Sequence, residues 1–273
     1  LLRQMTDVRW QVLVGGRRIL PGTKLLFGNT GLTATAVEML EEAERIIEFN
    51  EPINSRLDNM GEMPLPPYIH APLIDPERYQ TVYSRQEGSA AAPTAGLHFT
   101  PDLLLALRNK GAIFAHVTLH IGLGTFQPVK AEDIRDHHIH SELAMLTADE
   151  ARVINEAKLA GGRIIAVGTT AVRALETAGI LSEGGDPAHP EITPNACPWR
   201  PVTAFKQDTN LFIYPGYRWR VVDAMVTNFH LPKSSLLMMI SSFAEREHVM
   251  NAYETAKREG YRFFSFGDAM FIE

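Results

Sequence analysis

The densest concentration of chemistry-bearing side chains is DHHIHSE, residues 136–142. In an extended chain His138, His140 and Glu142 share one face. Two imidazoles and a carboxylate so spaced can ligate zinc or another transition metal. They can equally form a hydrogen-bonded acid–base group, with the carboxylate fixing the tautomer of an imidazole that titrates near neutrality. An ordered loop without chemistry is the third reading. Neither an HExxH pattern nor a cysteine pair accompanies the triplet.

Upstream, HVTLHIGLGTF (116–126) divides with period two. Val117, Leu119 and Ile121 fall on one face of a strand, and His116, Thr118 and His120 on the other. Gly122, Gly124 and Thr125 follow. They resemble part of a dinucleotide-binding glycine loop, but the third glycine is missing and Pro128 stands where the phosphate-binding helix should run, which argues against that site. Other strand-like runs end in similar fashion: Gly168-Thr169-Thr170 with Arg173 beyond, Thr227-Asn228-Phe229-His230, and Ser265, Gly267 and Asp268. In parallel α/β folds ligands bind beyond such strand ends. Thr169 and Thr170 read either as caps of a helix starting at 171 or as ligand contacts at a helix terminus suited to an anion. His230 reads either as a hydrogen-bonded loop histidine or as a functional one. The aromatics of YRFFSFGD (261–268) can stack a base or pack a core. Arg218, Arg220, Lys233 and Arg262 can meet phosphates or remain solvated charge.

The elements that must position these groups follow from periodicity. The first fifty or so residues are β-rich: WQVLVGGRRIL suggests a hairpin about Gly-Gly, and PGTKLLFG and RIIEFN suggest short strands. Residues 33–46 are ambiguous between strand and helix. GEMPLPPYIHAP (61–72) is proline-rich and reads as a linker. We therefore expect a small β-rich domain over 1–60 and a larger domain over 61–273. In the larger one, Thr100 and Pro101 open a helix, AIFAHVTLHI is a strand, and Thr147 with Glu150 forms a capping box before a helix ended by glycine. RIIAVG, a helix about AVRALETAG, the strand VVDAMVTNF, the helices SSLLMMISSFA and EHVMNAYETAKREG, and the strand-like YRFFSFGDAMFI follow, with 181–208 an excursion. Such alternation predicts a mainly parallel sheet, open or closed into a barrel.

The bulk numbers fit a globular protein: 273 residues, 45% hydrophobic and 21% charged. The net charge of −6 excludes a protein coated in basic charge, though not a local phosphate-binding patch. The single cysteine, Cys197, cannot form an internal disulfide, so a reducing, cytoplasmic setting is expected. No apolar run is long enough to span a membrane and no secretory signal is visible. The chain opens on Leu1 inside a strand-like run, and further sequence upstream is expected.

The motifs GEMPLPPYI, ERYQTVYS, AAPTAGLHFT, HVTLHIGLGTFQPV, HIHSE, GTTAVRALE, LFIYPGY, VDAMVTNFHLPKSSLLMMISSFA and YRFFSFGDAMFI, in this order, resemble the S-adenosylmethionine:tRNA ribosyltransferase-isomerase family of queuosine biosynthesis. The likeness runs from about residue 61 to the C-terminus and more weakly through 1–60. It implies a barrel-like, mainly parallel α/β domain carrying a smaller antiparallel β-barrel domain. It also implies transfer and isomerisation of the ribosyl group of S-adenosylmethionine onto a 7-aminomethyl-7-deazaguanine base at the wobble position of tRNA. Epoxyqueuosine-tRNA is the product, with adenine and methionine released. The implied partners are tRNA and S-adenosylmethionine, the latter as ribosyl donor; no metal and no membrane are implied, and a monomer is expected. The chain departs from the family by lacking its N-terminal asparagine-aspartate-threonine-arginine motif. It also has Ser235 where threonine is common, Phe266 where tyrosine is common, and Glu245, at a helix end, where glycine is usual.

Such a reaction needs a base to take a proton from the ribose 5′ carbon beside the sulfonium, an acid to help adenine leave, and a site closed to water. On the resemblance, His98, His120, His138, His140 and His230 are the candidate acids and bases, with Glu142 and Asp268 orienting them or balancing charge. Thr94, Gly122, Gly124, Thr125, Gly168, Thr169, Thr170, Arg173, Asn228 and Arg262 are the candidate substrate contacts. Two other readings stand beside this one. A metal-dependent barrel hydrolase would use His138, His140 and His230, and a non-catalytic module would bind tRNA alone.

Overall fold

The structure is a computed structural model that describes residues 1–15, 18–40, 43–61, 65–66, 68–69, 73–85, 89, 91–121, 141–192 and 199–273. The chain divides into two compact units, Leu1–Ile69 with Glu87–Ala90, and His70–Gln86 with Ala91–Glu273.

The first unit is an antiparallel sheet of β1 (Arg3–Gln4), β2 (Arg9–Leu13), β3 (Lys24–Leu26), β4 (Thr33–Met39) and β5 (Glu44–Phe49), in the order β1-β2-β5-β4-β3, followed by a single helical turn α1 (Leu57–Met60). Alternation decides its faces. Trp10 and Val12, Ala34 and Ala36, and Ile47 and Phe49 point to one core together with Leu32 and Ile53. The ambiguous stretch from 33 is thus strand. A register shift between Ala36 and Glu38 breaks its alternation, so the apolar Val37 and Met39 are exposed. The Gly-Gly hairpin is not confirmed: Gly16 lies outside the described residues, and β2 pairs with β1 and β5.

The second unit begins with 3₁₀ turns at Pro76–Tyr79 and Thr94–His98, then α2 (Pro101–Asn109), whose N-terminal N–H at Leu103 bonds the Thr100 hydroxyl at 3.2 Å. Next come β6 (Thr118–His120), β7 (Glu142–Leu146), α3 (Ala148–Leu159), β8 (Ile165–Val167), α4 (Thr169–Ser182), β9 (Phe205–Thr209), β10 (Ala224–Asn228), α5 (Ser235–Ala244), α6 (Arg246–Arg258) and β11 (Ala269–Ile272). The capping box is real: Thr147 Oγ1 accepts the Glu150 N–H at 3.3 Å. The strands form two three-stranded sheets, β11-β10-β8 and β6-β7-β9.

The fold is mixed α/β, but two expectations need correction. Among the described residues the strands close no barrel, and only the β10–β8 pair is parallel. Alternation of strands and helices fixes the order of elements, but strand direction is set by long-range pairing that local pattern does not encode. The strands are also shorter than their apolar runs: AIFAHVTLHI yields strand only over Thr118–His120, and YRFFSFGDAMFI only over Ala269–Ile272.

Helix α4 is the centre of this unit. It packs against β8 and against all three strands of the other sheet, and its residues from Val172 to Ile180 are buried on every side. A helix apolar all round belongs inside, and its polar residues must then be paired. Gly179 marks its tightest approach, since a Cβ there would stand 2.6 Å from Val221 Cγ2.

Candidate functional site

The C-terminal end of β10 is where the candidate residues converge. Antiparallel pairing of Asn228 with Ala269 brings Asp268 beside Asn228. The turn Thr94–His98 packs on β10, and Asn228 joins its two ends: Asn228 Oδ1 is 2.8 Å from His98 Nε2, and Asn228 Nδ2 donates to Thr94 Oγ1 at 2.9 Å. Asn228 is only 4% exposed, so both bonds are shielded from water. Gly96 inside the turn is forced by packing, because a Cβ there would collide with the Tyr83 hydroxyl and with Thr81. Gly168, at the end of β8, donates to Val226 O at 2.8 Å with φ +89°, and its open side meets Ala95 of the same turn.

The loop before β11 closes on itself. Arg262 donates its backbone N–H to Asp268 Oδ2 and its guanidinium to Asp268 Oδ1, each at 2.7 Å, and Asp268 returns its N–H to Arg262 O at 2.8 Å. The guanidinium hydrogen bond first, and the backbone one next, hold the Asp268 carboxyl below the usual carboxylate range; positive charge on His98 would lower it further. Asp268 is therefore a carboxylate. The tip of the loop is tight: Phe264 has φ +70°, and a Cβ on Gly267 would strike the backbone oxygens of Arg262 and Phe263. Phe263 packs against Phe229 and Tyr253, whereas Phe266 is 41% exposed and meets Tyr79 edge-on.

Thr94, His98, Gly168, Asn228, Arg262 and Asp268 thus belong to one neighbourhood. Other candidates do not. Glu142 and Arg173 form a buried ion pair at 2.5 Å, 3% and 6% exposed, with Arg173 also reaching Thr209 O at 3.3 Å. Their charges tie α4 to β7 and β9, and both side chains are buried. His230 is engaged by its own neighbours. Its Nε2 is 2.8 Å from Thr227 Oγ1 and its backbone N–H bonds the Tyr253 hydroxyl at 2.7 Å. Burial pushes its pKa from 6.5 down to about 4, so it is neutral near pH 7. Thr169 and Thr170 do not cap α4. The cap is Gly168, without a side-chain bond, and the threonines are the first two helical residues.

His120 ends β6 on the other sheet, and its neighbours Leu119 and Ile121 pack with Ala91 and Ala144 as the alternation predicts. His116 Nδ1 lies 3.4 Å from Glu150 Oε1, consistent with a strand-holding role. Arg220 is likewise structural: it bonds Glu183 at 2.9 Å and Pro190 O at 2.6 Å. Gly122, Gly124, Thr125, His138 and His140 lie outside the described residues. Among the described residues no three histidine, cysteine, aspartate or glutamate side chains are grouped to hold a metal, and no helix is long and apolar enough to cross a membrane.

Sequence reasoning missed Glu176. It is fully buried on α4, where Oε1 accepts the N–H groups of Val221 and Val222 and Oε2 accepts the Arg220 N–H and the Tyr217 hydroxyl, all at 3.0 Å. Burial raises its pKa while these bonds oppose the rise. The carboxylate anchors the segment that leads into β10 and so sets where Asn228 stands. The signal was present: an acidic residue in the middle of an otherwise apolar helix must be either paired or wrongly placed.

The fold and site define a mixed α/β protein that gathers imidazole, amide and carboxylate groups at the end of one short sheet. The family model of the queuosine biosynthesis protein matches residues 1–272, and the chain belongs to that family. It is 50% identical over its whole length to the S-adenosylmethionine:tRNA ribosyltransferase-isomerase of Lachnoclostridium phytofermentans, of which it covers 71%. It is 51% identical to the protein of the same name from Desulforamulus reducens, of which it covers 76%. A crystal structure of the S-adenosylmethionine tRNA ribosyltransferase of Thermotoga maritima is 33% identical, aligns with all of this chain and 73% of that one, and gives a TM-score of 0.49.

Proposed function

We propose that this chain transfers and isomerises the ribosyl group of S-adenosylmethionine onto the 7-aminomethyl-7-deazaguanine wobble base of tRNA, giving epoxyqueuosine-tRNA, adenine and methionine. The observation that carries this reading is identity of about one half, over every part of the chain, to enzymes named for that activity. S-adenosylmethionine is a substrate here, and no metal is assigned a role.

Within that reaction His98 is the base. A C–H beside a sulfonium is acidified by the adjacent positive charge, so an imidazole can take its proton. Asp268, ionised through its pairing with Arg262, offsets the charge the imidazole gains. Gly168, Thr169 and Thr170, at the end of β8 and the start of α4, form a wall against which a nucleoside can lie, and the exposed Arg262 can meet a phosphate. His120, His138 and His140 are the remaining candidates for the acid that assists adenine. The catalytic domain is assigned to 61–273 and the smaller domain to 1–60. The barrel-like arrangement implied by the family resemblance is part of this proposal, and the two described sheets do not by themselves form it. A monomeric, cytoplasmic enzyme acting on tRNA completes the reading.

The test supplies S-adenosylmethionine and tRNA bearing the 7-aminomethyl-7-deazaguanine base, with a chelator present, and weighs the nucleosides after digestion. Epoxyqueuosine with one adenine released per transfer is expected. tRNA binding without a new nucleoside would leave a binding module, and activity abolished by the chelator would favour a metal enzyme.

A further inference from the structure

Asn228 has the sequence position of a substrate contact, but the structure gives it other work. Both ends of its buried amide are already engaged, Nδ2 by Thr94 Oγ1 at 2.9 Å and Oδ1 by His98 Nε2 at 2.8 Å. In the structure the amide presents its oxygen to His98 and its NH₂ to Thr94. An oxygen acceptor requires that Nε2 carry the proton. A neutral imidazole has a single N–H, so Nδ1 is left with its lone pair.

We propose that Asn228, bonded also to Thr94, is a positioning residue that holds His98 in the Nε2–H tautomer, and that Nδ1 of His98 is the atom that takes the substrate proton. This rests on the reading of His98 as the base. In the step, the ribose C5′–H bond breaks, the proton moves to Nδ1, and the electron pair stays on the carbon beside the sulfonium. The imidazole becomes an imidazolium that keeps its bond to Asn228 Oδ1.

Each element packed around His98 fits this use. The 262–268 loop presents Asp268, ionised by its pairing with Arg262. The segment before the turn brings the Tyr83 hydroxyl against Gly96, and burial keeps that phenol protonated. Two residues beyond β10 stands His230, which burial keeps neutral near pH 7. Asp268 is thus the carboxylate on the neighbouring loop, held by Arg262.

The test compares wild type with Asn228→Ala, Asn228→Asp, Thr94→Val and His98→Ala. Single-turnover ribosyl transfer is measured against pH, and the His98 tautomer is read from ring carbon and nitrogen shifts of labelled protein. Wild type should show Nε2–H. Asn228→Ala should admit the Nδ1–H form and lower the transfer rate by at least about tenfold, inside the 10²- to 10⁴-fold that a positioned base supplies, with KM for S-adenosylmethionine little changed. Asn228→Asp keeps an acceptor, so it should retain the Nε2–H tautomer, recover part of the rate and move the ascending limb of the pH profile upward, since a carboxylate favours imidazolium. Thr94→Val should weaken this hold in the same direction as Asn228→Ala. The proposal is overturned if wild-type His98 carries its proton on Nδ1, or if Asn228→Ala changes KM alone. It is also overturned if Asn228→Ala leaves tautomer and rate as they were while His98→Ala abolishes transfer. Full transfer by His98→Ala would instead overturn the reading on which it rests.

Discussion

The burial of His230 makes a quantitative demand on stability. Its pKa is lowered from 6.5 to about 4 in the native protein by burial. Below 6.5 the unfolded chain binds a proton that the native state refuses, so stability is lost as pH falls, and the loss levels off once the native group itself protonates near 4. Fully expressed, the difference is worth about 3 kcal/mol, and at pH of about 5 it is worth about 2 kcal/mol. The perturbation is His230→Gln, which retains a hydrogen-bonding group near Thr227 but has no proton to gain. Urea unfolding of both proteins, at about pH 7.5 and about pH 5, gives a double difference in which carboxylate titrations common to both cancel. The wild type should lose about 2 kcal/mol more than the variant on acidification. Equal losses would show that His230 is solvated, and would contradict the burial that keeps it neutral.

Three further outcomes follow from the packing. Glu245 joins α5 to α6 at φ 61° and ψ 140°, a region that costs a side chain about 1–3 kcal/mol; its carboxylate is exposed and 3.9 Å from His248. Glu245→Gly should therefore raise the urea midpoint, through a gain in unfolding free energy of about 0.5–2 kcal/mol after the entropy glycine adds to the unfolded chain, and a lower midpoint would contradict the strain. Glu142→Gln strands the Arg173 charge inside the protein and should cost about 3–5 kcal/mol, whereas Glu142→Leu with Arg173→Met should recover much of it; a single variant as stable as wild type would contradict the buried pair. Glu176→Leu, which leaves three backbone N–H groups and a phenol without their acceptor, should cost several kcal/mol, about 1–3 for each group that finds no other partner, and intact stability would mean that water reaches them.

Much of this was legible because it is local. Thr100 and Thr147 cap their helices where the sequence placed them, since a cap and its bonded N–H lie three residues apart. The sequence also marked the polar ends of β8, β10 and the last strand. What it concealed are pairings between distant segments. Nothing near Glu142 announces Arg173, so the ion pair that buries this carboxylate is invisible in the sequence. His230 follows a strand as a ligand would, and only the closure of Tyr253 and Thr227 about it shows why it stays neutral. Asn228 looked like a substrate contact because its two partners are 134 and 130 residues away.

The most direct test is the single-turnover rate of His98→Ala with S-adenosylmethionine and the tRNA carrying 7-aminomethyl-7-deazaguanine, in protein shown to unfold at the wild-type urea midpoint. Both substrates should still bind, while epoxyqueuosine formation falls by about 10²- to 10⁴-fold, the contribution of a positioned base. Formation within about threefold of wild type, a change too small for the loss of a proton-transfer group, would place the base elsewhere and contradict the site described at the end of β10.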